Sequence, residues 1–162
     1  MRYFKLIVTI IISCSWVALP VFAQSSLSLG DFSSNPDSPI EMAADKLTVS
    51  QSDGSARFEG NVMITQENIK ILAQLVVVTY LESGEIDQLS ASGGVTVVTQ
   101  TETAEAKTAD YELASQNLIL RGDVLLTQGQ NAISSDTMQI DLTTGAAIIE
   151  GRVRTILPSE SK

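Results

Sequence analysis

The sequence predicts an all-β protein made of repeated, stacked antiparallel strands. Two observations carry this. In Ala56–Gln66 every second residue (Ala56, Phe58, Gly60, Val62, Ile64) is apolar or glycine, and those between are polar except Met63. That period of two marks a strand with one buried face. The pattern then recurs three times: Leu89, Ala91, Gly93, Val95 and Val97; Leu118, Leu120, Gly122, Val124 and Leu126; Ala147, Ile149, Gly151, Val153 and Thr155. Each repeat places a glycine on the inward parity two residues before a valine, with glycine spacings of 33, 29 and 29 residues. Internal repeats of this size belong to stacked units. No helical window occurs beyond the N-terminal apolar run.

That run reads as an export signal over residues 1–23. Arg2 and Lys5 form a positive start, Leu6–Leu19 is apolar, and Pro20 precedes Val21-Phe22-Ala23, after which cleavage is expected. Ile11-Ile12-Ser13-Cys14 loosely resembles a lipid-attachment box, but cutting there would leave Trp16–Phe22 as a hydrophobic start, so soluble export is favoured. Cys14 is the single cysteine, so the mature chain carries no disulfide framework and its core must supply the stability.

Residues 24–38, rich in Ser, Asn, Asp, Gly and Pro, read as a flexible leader. The repeat domain spans 39–157. Pro39 is tolerated at the start of a strand carrying Ile40 and Met42 inward. Ala44–Val49 forms the next, and Ser52-Asp53-Gly54 turns into the first repeat. Ile69–Ile71 and Leu75–Tyr80 follow, with Leu75–Val78 apolar on both parities and therefore expected to be covered on both sides or to lie at an interface. Thr99–Lys107 reads as a strand-end loop or solvated edge. Asp110–Leu113, Ala132–Ser134 and Asp136–Leu142 complete the pattern, and 158–162 is a polar tail. The count comes to about ten to fourteen short strands. An inward glycine ordinarily marks a bulge that bends the sheet. A compatible reading is that it keeps the space between facing sheets open.

Composition excludes several functions. Removing the two signal charges leaves 8 basic against 19 acidic residues, a net charge of −11, which argues against nucleic acid and against docking on anionic membranes. The chain has no histidine and, once mature, no thiol, so the common general base, thiol nucleophile and zinc ligands are missing. Asp45, Asp110 and Asp136 recur before strands and are read as hydrogen-bonding backbone there rather than as catalytic or calcium ligands. No cofactor, metal site or enzyme activity is expected.

The unit Ala44-Asp45, Phe58–Gln66 and Ile69–Ile71, together with Ala109–Ala114, Leu118–Gly122 and Ile133–Ile140, resembles the organic-solvent-tolerance (OstA-like) family over roughly Pro39 to Leu157. The resemblance implies a slightly twisted β-jellyroll, open along one side. It implies a periplasmic protein that binds lipopolysaccharide through the acyl chains of lipid A and bridges an inner-membrane exporter and an outer-membrane translocon. By motif position, Ile40, Val97 and Tyr111 would contact lipid, Val97 standing where the family carries an aromatic. Extended over the inward face, the candidates are Ile40, Met42, Leu47, Phe58, Val62, Ile64 and Ile71 in the first half. In the second they are Val95, Val97, Tyr111, Leu113, Leu120, Val124, Leu126, Met138 and Ile140. Head-to-tail homo-oligomers would form by strand pairing between Ile40-Glu41-Met42 at one end and Arg152-Val153-Arg154-Thr155-Ile156 at the other. The contrasting reading is a packed β-repeat scaffold of the cell envelope whose edges are blunted by Pro39, Arg152 and Arg154.

Overall fold

The computed structural model describes residues 32–35 and 37–157. The signal segment, its cleavage site, residues 24–31 and the tail lie outside them. Ten strands form one antiparallel sheet: β1 (Glu41–Ala43), β2 (Lys46–Ser50), β3 (Ser55–Gln66), β4 (Ile69–Tyr80), β5 (Ile86–Val98), β6 (Glu102–Glu112), β7 (Asn117–Gln128), β8 (Asn131–Asp141), β9 (Ala147–Glu150) and β10 (Arg154–Ile156). The path runs β1-β3-β4-β5-β6-β7-β8-β10, with β2 also on β3 and β9 also on β8. No helix occurs among the described residues.

The six central strands are 11–13 residues long because each runs through a bulge instead of ending there. The repeat glycines make those bulges. Gly60, Gly93 and Gly122 have φ of +79°, +85° and +84°, and the residue after each (Asn61, Gly94, Asp123) is also left-handed. Pairing shifts there, between Glu59 and Val62, Ser92 and Val95, and Arg121 and Val124. Glycine reaches this region without the steric penalty a Cβ brings. The fourth pair, Gly151-Arg152 at φ +76° and +43°, ends β9 outright. The predicted Ala147–Thr155 strand is therefore two strands.

The bulge line divides the sheet into two half-sheets. One holds β1, the C-terminal half of β3, the N-terminal half of β4 and so on to β10; the other holds β2, the complementary halves, and β9. Inward side chains of both halves form a single core cluster. The sheet is thus folded along its bulges, with free hairpin ends on the open side, and neither edge pair (β1/β2, β9/β10) pairs with the other.

Three expectations are corrected. Thr99–Lys107 is mostly β6, a central strand paired on both sides, with Glu102 and Ala104 buried. Its Thr/Glu composition concealed that Ala104, Ala106 and Ala109 carry the inward positions. Of the two alternatives for Leu75–Val78, cover on both sides by the described residues does not hold: Leu75 and Val77 are half-buried on the outer face, while Val76 and Val78 fill the core. Finally, the glycines do not hold the interior open. A Cβ at Gly60, Gly93, Gly122 or Gly151 would strike the side chain of Asp45, Gln74, Lys107 or Asp136 on the neighbouring strand. Asp45, Gln74 and Lys107 face solvent and Asp136 is partly exposed, so the missing side chain makes room on the outside of the bend.

Candidate functional site: the apolar groove and its edges

The groove is the space between the half-sheets. Ile64, Ile69 and Ile71 come from one half, and Leu89, Ala91, Ala109, Tyr111 and Leu118 from the other, with Ile40 and Leu142 closing it. Register explains the layering: Ala91, Ala109 and Leu120 are partners across β5, β6 and β7, and Leu120 pairs with Met138 on β8. The cavity left among these side chains is about 20 Å³, room for roughly one water. At this point the groove is apolar and nearly filled by its own side chains.

Of the candidate lipid contacts, Val62, Ile64, Ile71, Val95, Val97, Tyr111, Leu120, Val124, Leu126, Met138 and Ile140 are buried inward. Ile40, Met42, Phe58 and Leu113 are half-buried against them. Leu47 departs from the set. It pairs with Phe58 and so has inward parity, yet is 54% exposed, because β2 is an edge strand and no strand among the described residues faces it. Ile69, Leu89, Ala91, Ala109, Leu118 and Leu142 line the cavity although they were not singled out. Inward parity already marked Leu89, Ala91, Leu118 and Leu142, whereas small Ala109 gave no signal of its own. Phe32 was missed altogether: assigned to the leader by its Ser-rich surroundings, it is fully buried in the core cluster. An aromatic inside a Ser/Gly-rich run was the available clue.

Polar groups sit at the hairpin ends. Tyr111 Oη donates to Gln116 Oε1 at 2.8 Å, and burial pushes the phenol above its ordinary value. Gln128 Nε2 donates to the buried Glu102 carboxylate at 2.8 Å. On the outer face, most bulges carry a latch in which the residue after the glycine reaches back to the side chain lying over that glycine. Asn61 donates to Asp45 at 2.8 Å, Lys107 pairs with Asp123 at 2.6 Å, and Arg152 pairs with Asp136. The recurring aspartates thus accept side-chain rather than backbone donors. Asp110 and Asp136 are no strand starts: Asp136 lies in the middle of β8, and Asp110, within β6, takes Ser90 and Arg121. Among the described residues no group of three or more acidic side chains is placed to hold a metal.

The latches set an acid limit. The hydrogen bond from Arg152 holds Asp136 low, and that from Lys107 does the same for Asp123. Lys46 and then Arg57 lower Glu59, and the Thr144 and Thr143 amides lower Asp141. A carboxyl depressed in the folded state stabilises fully above its unfolded value and loses that stabilisation as pH falls through the folded one. The urea midpoint should therefore be level from about pH 7 to 5 and drop below the ordinary values of 4.5 for Glu59 and 3.8 for the aspartates. The latch carboxylates are solvent-exposed, so high salt should flatten the drop. A midpoint that rises on acidification would contradict the assignment.

The two edges are apolar and, among the described residues, unpaired. Leu47 and Val49 are exposed on β2; Ile148, Val153, Ile156 and Leu157 are exposed along β9, β10 and their flanks. Of the predicted stacking segments, Glu41 and Met42 lie on β1 and Arg154–Ile156 form β10, whereas Arg152 and Val153 occupy the break before it.

This architecture matches known proteins. The family model for the LptA/(LptD N-terminal domain) LPS transport protein fits residues 41–146, from the start of β1 to the edge of β9. The chain belongs to this family. The LptA/LptD N-terminal-domain family is one of non-enzymatic transport proteins. An uncharacterised protein of Rhizobium meliloti (strain 1021) is 26% identical over 164 residues, covering 93% of this chain and 88% of that protein. Among solved structures, LptH, the LptA-homologous periplasmic component of the lipopolysaccharide transport device of Pseudomonas aeruginosa, superposes with a TM-score of 0.68 at 16% identity. That match covers 78% of this chain and 99% of LptH. The shared fold is the open jellyroll that the family resemblance implied.

Proposed function

We propose that this chain is a periplasmic lipopolysaccharide-binding transport protein that carries the acyl chains of lipid A between its half-sheets and bridges inner and outer membranes. The observation that carries the reading is the groove itself: two facing aliphatic walls open along their hairpin ends, in a member of a lipopolysaccharide-transport family. Burying a methylene stabilises by roughly 0.8 kcal/mol, so a ~12–14-carbon acyl chain exposed to water would meet a barrier on the order of 10 kcal/mol. Apolar cover along the route lowers it, while phosphorylated sugars stay outside in solvent. The unpaired apolar edges suit head-to-tail pairing with further copies, and with the exporter and translocon subunits at the ends of the chain.

A second reading is a structural β-repeat scaffold without lipid cargo, and the nearly filled interior, with its cavity of about 20 Å³, favours it. One experiment separates them. Photo-crosslinking groups at Tyr111 and Ile140, both inward, should capture lipopolysaccharide in cells, and groups at Glu112 and Asp141, whose parity is outward, should not. Capture at neither pair in a folded protein would favour the scaffold.

A further inference from the structure

We propose that the segment from Phe32 to Asn35 is a strap that closes the groove's open side and must give way for an acyl chain to enter. The proposal rests on the lipid-carrying reading above. Phe32 has no exposed surface and belongs to the same inward cluster as the groove walls. Two and three residues on, the chain is tied to both half-sheets at their free ends. The Ser34 amide donates to the Leu142 carbonyl at 2.9 Å, just past the end of β8. The Asn35 amide donates to Glu67 Oε2 at 2.7 Å, in the β3–β4 turn. Beside it Gln66 Nε2 donates to the Ser38 carbonyl at 3.1 Å. The bulge line closes the opposite side, so a segment joining hairpin end to hairpin end crosses the mouth.

The closure is built to open. The segment lies outside every strand, so freeing it breaks no sheet ladder, and such segments open at the low end of the local stability range. Ser34 Oγ is buried without a hydrogen-bond partner among the described residues, a cost relieved when the strap leaves. One phenyl ring also buries less apolar surface than an acyl chain of a dozen carbons, so cargo can outcompete it. The cavity of about 20 Å³ left between the groove walls, which Gln66 and Leu142 help to line, does not admit such a chain. Displacing the strap vacates the ring's volume and frees Leu142 and Gln66 at the mouth.

The test locks the strap. In the exported protein, Asn35→Cys and Glu67→Cys are joined with a short, reducible thiol crosslinker, and binding of purified lipopolysaccharide is compared before and after reduction. The locked form should bind at least about tenfold more weakly and recover on reduction, as required of a ligand admitted only by the open population. Phe32→Ala should bind more tightly than the parent. Equal affinity of locked and reduced protein, or a folded Phe32→Ala variant no tighter than the parent, overturns the strap while leaving lipid carriage standing. Failure of the parent and the reduced form to bind any lipopolysaccharide overturns lipid carriage itself, and the strap with it. If Phe32→Ala does not fold, the lock alone decides.

Discussion

Gly93→Ala should destabilise the fold by about 2–5 kcal/mol, and Gly94→Ala, one residue on, by only about 1–2 kcal/mol. Both glycines are left-handed, at φ +85° and +88°, and an L-residue there costs roughly 1–2 kcal/mol. They differ in what a methyl would meet. At Gly93 it falls 2.7 Å from Gln74 Cβ, an atom anchored to the backbone of β4, whereas at Gly94 nothing lies within 4 Å. Relieving the first clash must move β4 against β5, an overpacking cost of roughly 1–3 kcal/mol more. Urea denaturation of the two variants reads the difference directly. Equal losses would mean that the sheet flexes freely along the bulge line and that the close approach of Gln74 is incidental.

Leu120→Ala should cost about 2–5 kcal/mol, the range for emptying a fully buried leucine site, while Leu47→Ala should change stability by less than about 0.5 kcal/mol. Leu120 has no exposed surface and is flanked on its own face by Ala109 and Met138; its removal leaves a hole in the groove wall that the register cannot close. Leu47 is more than half exposed at the β2 edge. The pair discriminates because both residues have inward parity. If Leu47→Ala proved as costly in dilute monomer, β2 would have to be covered by a part of its own chain outside the described residues. If instead it cost stability only at concentrations where the protein self-associates, the edge would be an assembly surface, as the proposed head-to-tail pairing requires.

Much of this molecule was legible in one dimension. Strand existence, inward parity and the bulge positions follow from a period of two and from glycine placement, which are local: Val62, Val95, Val124 and Ile140 face inward because side chains two residues apart along a strand share a face. The polar run of β6 misled because a central strand can bury Ala104 and Ala109 while its other face stays hydrated, and alanine contributes little to an apolar pattern. The Asp45 and Asp136 recurrence was visible, but its meaning was not. Their partners, Asn61 and Arg152, lie 16 residues away, and only the bend at the glycines brings them back.

Sequence alone established the all-β class, the repeat and the face each residue takes, because those depend on neighbours two residues apart. Packing over long separations decided the rest. It set the apposition of Ile71 against Tyr111, left Leu47 facing solvent, turned the Gly93 clash outward, and drew Phe32 from an unpromising Ser-rich stretch into the core. Such outcomes depend on which surfaces remain uncovered once the sheet has folded on itself, and burying an apolar ring against the nearest uncovered wall is favourable whatever residues flank it in sequence.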